Sequence, residues 1–544
     1  LWGTTDEKKK LHLVNWDSVC KPKTLGGLGL RKTSDNNTVL LAGLCWRLVK
    51  EPKSLWSQIL QHCYIDNNST TSSHNLTLKR GNGSINKKSL QKGLELFNQG
   101  IMWNVRNGEE ILLWWDDWTG RGPLRSMISG PLTQAETKMK IKQIFGDFDA
   151  WDFSSLSFEL PGNICRFIQS IPRQLMSNQS DTLRWKTNPN GSFSAKSALL
   201  ILEQDLKKKP PQGDFELWSW VWKVKTKSKV KHFLWLTCQN RLPSKALLLK
   251  RNITSDSFCP RCNHSCEDSA HVLRYCPHAS SFWQSLNIPT SFDLDFTVWL
   301  KNGCLSKHIS PFYGIPWGTV ISFACWNLWI ARNKAIFEPS NLFSILHNTL
   351  AMVAEYSFLG PIQNIVHPRT EVLINWIPPE PSSFKINTDG SSIGNSGPAG
   401  SGGLIRNHLG HWIAGFSRKL GHATNILAEL WGIRDGLSLA SSLNLQNVEL
   451  EVDAKTALDL LKSADTSTHE YASIISDCRF LISALPKVIL RHAYREANQC
   501  ADRLAKLGAQ QDVNFVCYES IPYALRSLVD ADLKGICFPR FVPI

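Results

Sequence analysis

Two sets of residues in this chain have the types and spacing to do chemistry. The first is four acids, Asp389, Glu429, Asp453 and Asp502. They sit in Phe384-Lys-Ile-Asn-Thr-Asp-Gly390, Ala428-Glu429-Leu430, Glu449-Leu-Glu-Val-Asp453 and Asn498-Gln-Cys-Ala-Asp502. Carboxylates packed together repel one another and hold protons unless cations neutralise them. Oxygen-only ligands select Mg2+ or Mn2+, and two such ions can clamp the attacking and leaving oxygens of a phosphodiester displacement. The second set is Cys259, Cys262, His271 and Cys276, spaced Cys-x2-Cys-x8-His-x4-Cys. A Cys-x2-Cys turn aims two thiolates at one ion, and the later His and Cys complete a tetrahedron suited to Zn2+. Cys266 and His264 compete for ligand roles, and His278 does so less strongly. Four protein ligands leave no open position, so this site is expected to be structural.

The acids need elements that bring them together. In the first stretch Phe384, Ile386 and Thr388 face one way and Lys385, Asn387 and Asp389 the other, the alternation of a strand. Gly402 to Arg406 and Trp412 to Ser417 make a hairpin around His408-Leu409-Gly410. Val448, Leu450 and Val452 alternate with Glu449, Glu451 and Asp453, which puts Asp453 at the end of its own strand. Leu427, Leu430, Ile433 and Leu437 mark a helix with Glu429 in its first turns. Val488 and Leu490 lead a last strand to His492, and Asn498 to Leu507 form a final helix with Asp502 near its start. Acids at strand ends and helix starts can converge.

These motifs resemble ribonuclease H, type 1, in the form found in plant non-LTR retrotransposons. The matching residues are Asn387-Thr-Asp-Gly-Ser391, Ala428-Glu-Leu430, Glu451-Val-Asp-Ala454, and Arg495-Glu-Ala-Asn498 followed by Ala501-Asp-Arg-Leu-Ala-Lys506. The resemblance covers residues 384–510 and implies a mixed five-stranded sheet with helices. It implies cleavage of the RNA strand of an RNA–DNA hybrid, with Asp389, Glu429, Asp453 and Asp502 holding Mg2+. His492 is similar to the family's mobile histidine, tied to proton transfer and product release, and Asn425 to its substrate-contacting asparagine. One departure is Ala493-Tyr494 after His492, where the plant family more often has an apolar residue and Pro. Residues 183–283 resemble the zinc-binding domain of such reverse transcriptases, and Asn15 to Gly29 and Gly100 to Trp118 the segment after the polymerase. With no Tyr-x-Asp-Asp motif in the chain, no DNA synthesis is expected of it.

The rest of the chain sets bounds. At 544 residues with a net charge of +15, it is too long for one core. Residues 381–512 hold 13 Lys+Arg against 13 Asp+Glu and residues 513–544 three of each, so the whole basic excess lies in residues 1–380. Such a front half suits phosphate binding; a generally solvated basic surface is the plain alternative. Apart from the cluster between 259 and 276, the 15 Cys are scattered, which points to a reducing compartment. No signal peptide precedes Asp6, so an intracellular protein, nuclear or cytoplasmic, is expected. Leu1 in place of Met suggests a start inside a longer reading frame. Residues 309–331 carry no charge, but Pro311, Gly314, Pro316 and Gly318 favour a loop and a buried helix over a membrane span.

The expected organisation is multidomain: an α-rich, basic front with a small zinc-binding domain, then an α/β ribonuclease H-like domain. The divisions are a post-polymerase connector at 1–125, the zinc-binding domain at 183–283, a helical linker at 284–380, the ribonuclease H-like domain at 384–510 and a tail at 511–544. Leu40, Leu41, Leu44, Trp46 and Leu48 give a helix within 37–50, and the polar stretch 65–94 reads as a mobile linker. Residues 100–118 read as a hairpin turning at Asn107-Gly108, with four Trp in its core and Asp116 and Asp117 facing solvent; a sugar or metal site there is the weaker reading. Trp218, Trp220, Trp222, Phe233 and Trp235 interleave with lysines. That mixture suits a nucleic-acid surface and equally a helical hairpin with buried Trp.

Two functions follow. One is Mg2+-dependent endonucleolytic hydrolysis of the RNA strand of RNA–DNA hybrids. The other is a catalytically silent, transposon-derived protein that holds nucleic acid through its basic front and zinc domain. A proofreading-type exonuclease ranks last, because Asp389 is followed by Gly390-Ser391 and not by x-Glu.

Overall fold

The computed structural model describes residues 12–65, 76–79, 84–146, 150–174, 179–208, 215–288, 294–312, 314–338, 344–359 and 369–543. The chain divides into two compact units, each assembled from two separate stretches. Unit 1 takes Leu1–Thr33 and Lys207–Val366, and unit 2 takes Ser34–Leu206 and His367–Ile544.

Unit 1 is helical and is organised around the helix Trp317–Phe337. Val320, Ile321, Phe323, Ala324, Cys325 and Leu328 are all buried along it, so it is apolar nearly all round, as a central core helix must be. Among the described residues no helix is long and apolar enough to cross a membrane. The helix packs against Ser228–Cys238, Phe296–Leu305 and Ile345–Leu359. The helices Phe296–Leu305, Trp317–Phe337 and Ile345–Leu359 fall within 284–380, the stretch expected as a helical linker. Trp220, Phe233 and Trp235 are buried in this same core and Trp235 Nε1 donates to Gly26 O at 2.7 Å, so these rings offer no face to a base. Only Trp218 and Trp222 of that aromatic run are partly open.

The front part of unit 2 holds β1 (Ile101–Asn104) and β2 (Thr182–Trp185), paired antiparallel. The expected hairpin at Asn107-Gly108 does not form. Asp181 explains why: its carboxylate accepts from the backbone N–H of Arg106, Gly108 and Glu110 at 2.7, 3.1 and 3.1 Å, wrapping the turn around a side chain far along the sequence. The expected tryptophan core does form, with Trp114, Trp118 and Trp185 fully buried. Asp116 and Asp117 do not face solvent. Asp116 accepts from Leu112 N, and Asp117 from Gly120 N and Lys186 Nζ, so both fasten the loop. The segment 65–94 is only partly within the described residues. Its end belongs to the helix Ile85–Gly100, capped by Ser84 and anchored by Leu90, Leu94 and Phe97. In the helix Thr33–Lys50 the buried positions are Val39, Ala42, Cys45 and Leu48, whereas Leu40 is exposed.

The rear part of unit 2 has β3 (Arg369–Ile374), β4 (Phe384–Ser392), β5 (Gly397–Asn407), β6 (Trp412–Ala423), β7 (Asn447–Val452), β8 (Lys487–His492), β9 (Phe515–Tyr518) and β10 (Phe538–Pro543). The main sheet is mixed, in the order β8-β7-β4-β5-β6-β9. The expected five strands are present, and β9 adds a sixth, antiparallel to β6. β10 pairs with β3, so the residues beyond 510 complete two sheets. Parallel pairing of β4 with β7 sets Thr388 beside Val452, and β7 with β8 sets Val452 beside His492.

The helix Asn425–Ser442 packs on one face of β4 and the helix Gln499–Gln510 on the other side of the sheet. Leu427, Leu430, Ile433 and Leu437 are buried beneath the first, with Ile386, Val448 and Leu450. Leu404, Ala501 and Leu504 are buried beneath the second. Lys385 and Asn387 are buried as well. Lys385 pairs with Glu449 and Glu451 at 3.0 and 2.6 Å, and Asn387 accepts from Trp376 Nε1 and Arg406 Nη2. Gly390 is needed for close approach: a Cβ there would lie 2.2 Å from Glu429 N and 2.4 Å from Ala428 C. Gly390→Ala is therefore expected to push the helix off the sheet and destabilise unit 2 by about 1–3 kcal/mol, read as a lower denaturation midpoint. An unchanged midpoint would show that the helix yields without cost.

Candidate active site and metal centre

Asp389 lies in the second half of β4, which runs on to Ser392, opposite Gly402 of β5. Glu429 comes from the second turn of the helix Asn425–Ser442, and Asp453 follows directly on β7. Each offers one carboxylate oxygen that lies within 4.8 Å of those of the other two. Asp389 and Glu429 are buried, and burial, together with the neighbouring carboxylates, pushes both well above the usual carboxylate range. Glu429 Oε2 is buried with no hydrogen-bond partner. A buried, unpartnered carboxylate oxygen on a residue grouped with two other acids is the condition a hard cation relieves, so the residues present fit a divalent ion.

Asp502 is placed differently. It sits in the first turn of the helix Gln499–Gln510, near enough to act electrostatically on Asp389, but outside the close group of three. Its Oδ2 accepts from Lys506 Nζ at 2.6 Å, and its side chain is 45% exposed. Asp453 likewise carries a cation, with Arg495 Nε 3.2 Å from Oδ2. The Arg495 side chain is 88% exposed, so it can leave without disturbing the core.

His492 ends β8 with its Nε2 3.1 Å from the carbonyl oxygen of Asp453. In the tautomer that donates this bond, Nδ1 remains as an acceptor. Asn425 is exposed at the start of its helix, and its N–H donates to Asn395 Oδ1 at 3.0 Å. Reading the sequence by alternation and periodicity passed over Arg495, Lys506 and Asn498 as parts of the site. Asn498 is buried, donates from Nδ2 to Thr388 O at 2.9 Å and ties the last helix to β4 beside Asp389. Its place in the Arg495-to-Asn498 motif was the available signal.

In unit 1, Cys259, Cys262, His271 and Cys276 offer one ligand atom each within 4.8 Å of the others. Cys262 Sγ is 3.3 Å from His271 Nε2, close to the ~3.5 Å edge expected for tetrahedral Zn–S and Zn–N bonds. Asn263, at φ 57°, turns the knuckle after Cys262 and donates to Cys259 O at 2.9 Å. His271 starts a wide helical turn through Tyr275, with its N–H held by Asp268 Oδ1 at 2.7 Å. Burial pushes the Cys259 thiol up and Cys276 to about 11, and it pushes the His271 imidazole down. A bound cation reverses the cost for the thiols, since it stabilises thiolates. Of the competitors, Cys266 is exposed and outside the group, His264 stacks on His271 at 4.6 Å, and His278 Nε2 lies 3.3 Å from Arg261 O. The loop is anchored by fully buried Glu267, which accepts from Arg332 and from Lys245 N.

Residues 387–508 match the family described as reverse transcriptase-like, and residues 193–283 the family described as zinc-binding in reverse transcriptase. An Arabidopsis thaliana protein whose name assigns it to ribonuclease H is 30% identical over 555 residues, covering 100% of this chain and 88% of its own. An uncharacterized mitochondrial protein of the same plant is 30% identical over 118 residues, covering 22% of this chain and 74% of its own. The ribonuclease H1 structure from the archaeon Halobacterium salinarum is 27% identical, with a TM-score of 0.23, over 24% of this chain and 98% of that one. With both matched segments present and a relative aligned along the whole of this chain and 88% of its own length, the chain belongs to the plant, reverse-transcriptase-related ribonuclease H family represented by that Arabidopsis protein.

Proposed function

We propose that this protein hydrolyses the RNA strand of RNA–DNA hybrids, with Asp389, Glu429, Asp453 and Asp502 holding divalent magnesium or manganese and the Cys259–Cys276 cluster holding structural zinc. The observation that carries the reading is the convergence of Asp389, Glu429 and Asp453, with Glu429 Oε2 unpartnered. Divalent ions held there would neutralise charge on the attacking and leaving oxygens of a phosphodiester. The chain's own residues do the rest. Lys506 and Arg495 release Asp502 and Asp453 as the substrate arrives. His492 accepts and returns a proton at Nδ1, while its Nε2–H donates to Asp453 O. Asn425 meets the strand, and contacts to 2′-hydroxyls separate RNA from DNA. The products carry 5′-phosphate and 3′-hydroxyl ends.

The test is a labelled hybrid incubated with purified chain and Mg2+ or Mn2+. RNA-strand cleavage is expected; an intact hybrid with both ions overturns the reading. A second reading, binding without cleavage, draws on the ion pair between Asp502 and Lys506, which competes with a metal for that acid. In that case hybrid affinity persists, falls steeply with salt and depends on residues 1–283.

A further inference from the structure

β10 lies outside the sheet that carries the acids. It pairs antiparallel with β3, and the two make a ribbon of their own. A two-stranded ribbon is marginally stable at best in water, so it needs a surface to lie on. Side chains alternate across a strand. Phe538, Arg540 and Val542 are half-buried, while Pro539 and Phe541 are exposed. One face of β10 therefore packs on the rest of unit 2.

What that face meets is the turn that leaves β8. Arg540 Nη1 donates to both carboxylate oxygens of Glu496, at 3.1 and 2.8 Å. The two side chains are 35% and 25% exposed, so water only partly screens the pair. The Arg540 guanidinium also lies over the Tyr494 ring, 4.5 Å from its centroid. A planar, delocalised cation can serve both partners at once. The Tyr494 ring in turn meets the His492 ring edge-on, with centroids 5.6 Å apart and planes at 84°. Between the two held residues stands Arg495, paired with Asp453. His492 itself rests on the carbonyl oxygen of Asp453. One ribbon side chain thus holds the residues on both sides of Arg495 and backs the ring that abuts His492.

The turn contains a short 3-10 segment, Arg495–Ala497, closed by bonds from Ala497 N to Tyr494 O and from Asn498 N to Arg495 O at 2.9 and 3.0 Å. Such local bonds shape a turn without fixing its place over β7. Ala493 N to Val452 O at 3.0 Å fixes one end, and Asn498 Nδ2 to Thr388 O at 2.9 Å fixes the other. Arg540 holds the middle. We infer that Arg540 is a positioning residue: through Glu496 and Tyr494 it fixes the turn that sets the His492 ring, and it leaves Arg495 to quit Asp453 by side-chain rotation alone. The catalytic consequence rests on the nuclease reading above, but the clamp does not.

The test has two readouts on the full chain. Hydrogen exchange, followed by mass spectrometry, reports the amides of residues 493–498 without any need for activity. Arg540→Gln is expected to speed their exchange about tenfold and to leave residues 384–392 unchanged. Unchanged exchange at 493–498 overturns the inference, whether or not the parent cleaves. In hybrid cleavage with Mg2+, the same variant is expected to lower kcat about tenfold with KM held within about twofold, the signature of lost orientation and not of lost substrate binding. A raised KM with kcat intact would make Arg540 a substrate contact and overturns its positioning role. Arg540→Lys keeps a cation for Glu496 and Tyr494 and should restore most of kcat. Glu496→Ala should match Arg540→Gln, and the double variant should be no worse than either alone; additive losses would deny the shared path. Phe541→Ser, on the exposed face of the same strand, should leave both readouts at the parent's values. An equal loss there would show that only the presence of the ribbon matters and would overturn the role of Arg540. If Arg540→Gln unfolds the unit at the assay temperature, Glu496→Ala decides in its place. A parent that cleaves no hybrid while Arg540→Gln loosens 493–498 retains the clamp and loses the nuclease reading.

Discussion

Asp389→Asn is expected to lower hybrid cleavage by on the order of 10^3-fold or more, about 4 kcal/mol of transition-state stabilisation, and at the same time to make the magnesium-free protein more stable. The two effects share a cause. Asp389 is buried against Asp453 and under the field of Asp502, and its carboxyl is pushed well above the ordinary range, chiefly by burial. Glu429 is pushed the same way. The folded chain therefore holds protons that the unfolded chain releases, and the sign follows: stability is greatest below the ordinary carboxylate pKa of ~4 and falls as pH rises toward the raised values. Magnesium competes with those protons and should restore what neutral pH removes. An Asn at 389 keeps the shape and discards a charge. Its thermal midpoint should exceed the parent's at pH 8 without added magnesium, differ little at pH 4, and gain less from added magnesium. Retained cleavage, or a midpoint lowered at pH 8, would falsify the assignment of Asp389 to the metal site.

On the proposed zinc assignment, removing the metal from unit 1 is expected to have the largest effect on stability. Structural zinc in small domains contributes ~10–16 kcal/mol of apparent binding energy, but unit 1 also has the core around Trp317–Phe337, so part of the fold should survive. A loss of about 5 kcal/mol would lower its midpoint by about 10–20 °C. Cys259→Ser should reproduce the effect, because it withdraws one of three thiolates from a closed site. Cys266→Ser should leave the midpoint in place, since Cys266 is exposed and outside the group. A zinc-selective chelator with magnesium in excess separates this transition from the carboxylate site. An unmoved midpoint after metal analysis shows the zinc gone would mean the loop is held by Glu267 and Arg332 instead.

Much of the candidate site could be read from sequence because its signals are local. The alternation through Asp389, the four leucine and isoleucine positions beneath Glu429, and the strand ending at Asp453 depend on neighbours a few residues away. What escaped depends on residues far apart. Asp181 captures the turn at 106–110 from more than 70 positions downstream, and no pattern within 100–118 announces it. Arg495 and Lys506 stand in the sequence as motif members with no assigned role, and only the fold sets them on Asp453 and Asp502. The four residues of β9 are too few to signal a strand, and they gain one only by lying along β6. The cysteine cluster was legible because metal ligation imposes its own spacing. The Glu267–Arg332 pair that steadies it was not, since the two are 65 residues apart.

The division of the chain bears on how it is made and how it decays. Because unit 2 takes residues from both before and after the stretch Lys207–Val366 of unit 1, a ribosome delivers the tryptophan-rich front long before the strands it must join. The stretch 34–206 waits through the synthesis of residues 207–366, exposed to chaperones and proteases. A stop codon just after residue 510 would spare every candidate catalytic acid, yet strip β9 from β6 and β10 from β3. Such an allele would look intact to anyone checking only the acids, and its product would carry two raw sheet edges prone to aggregation.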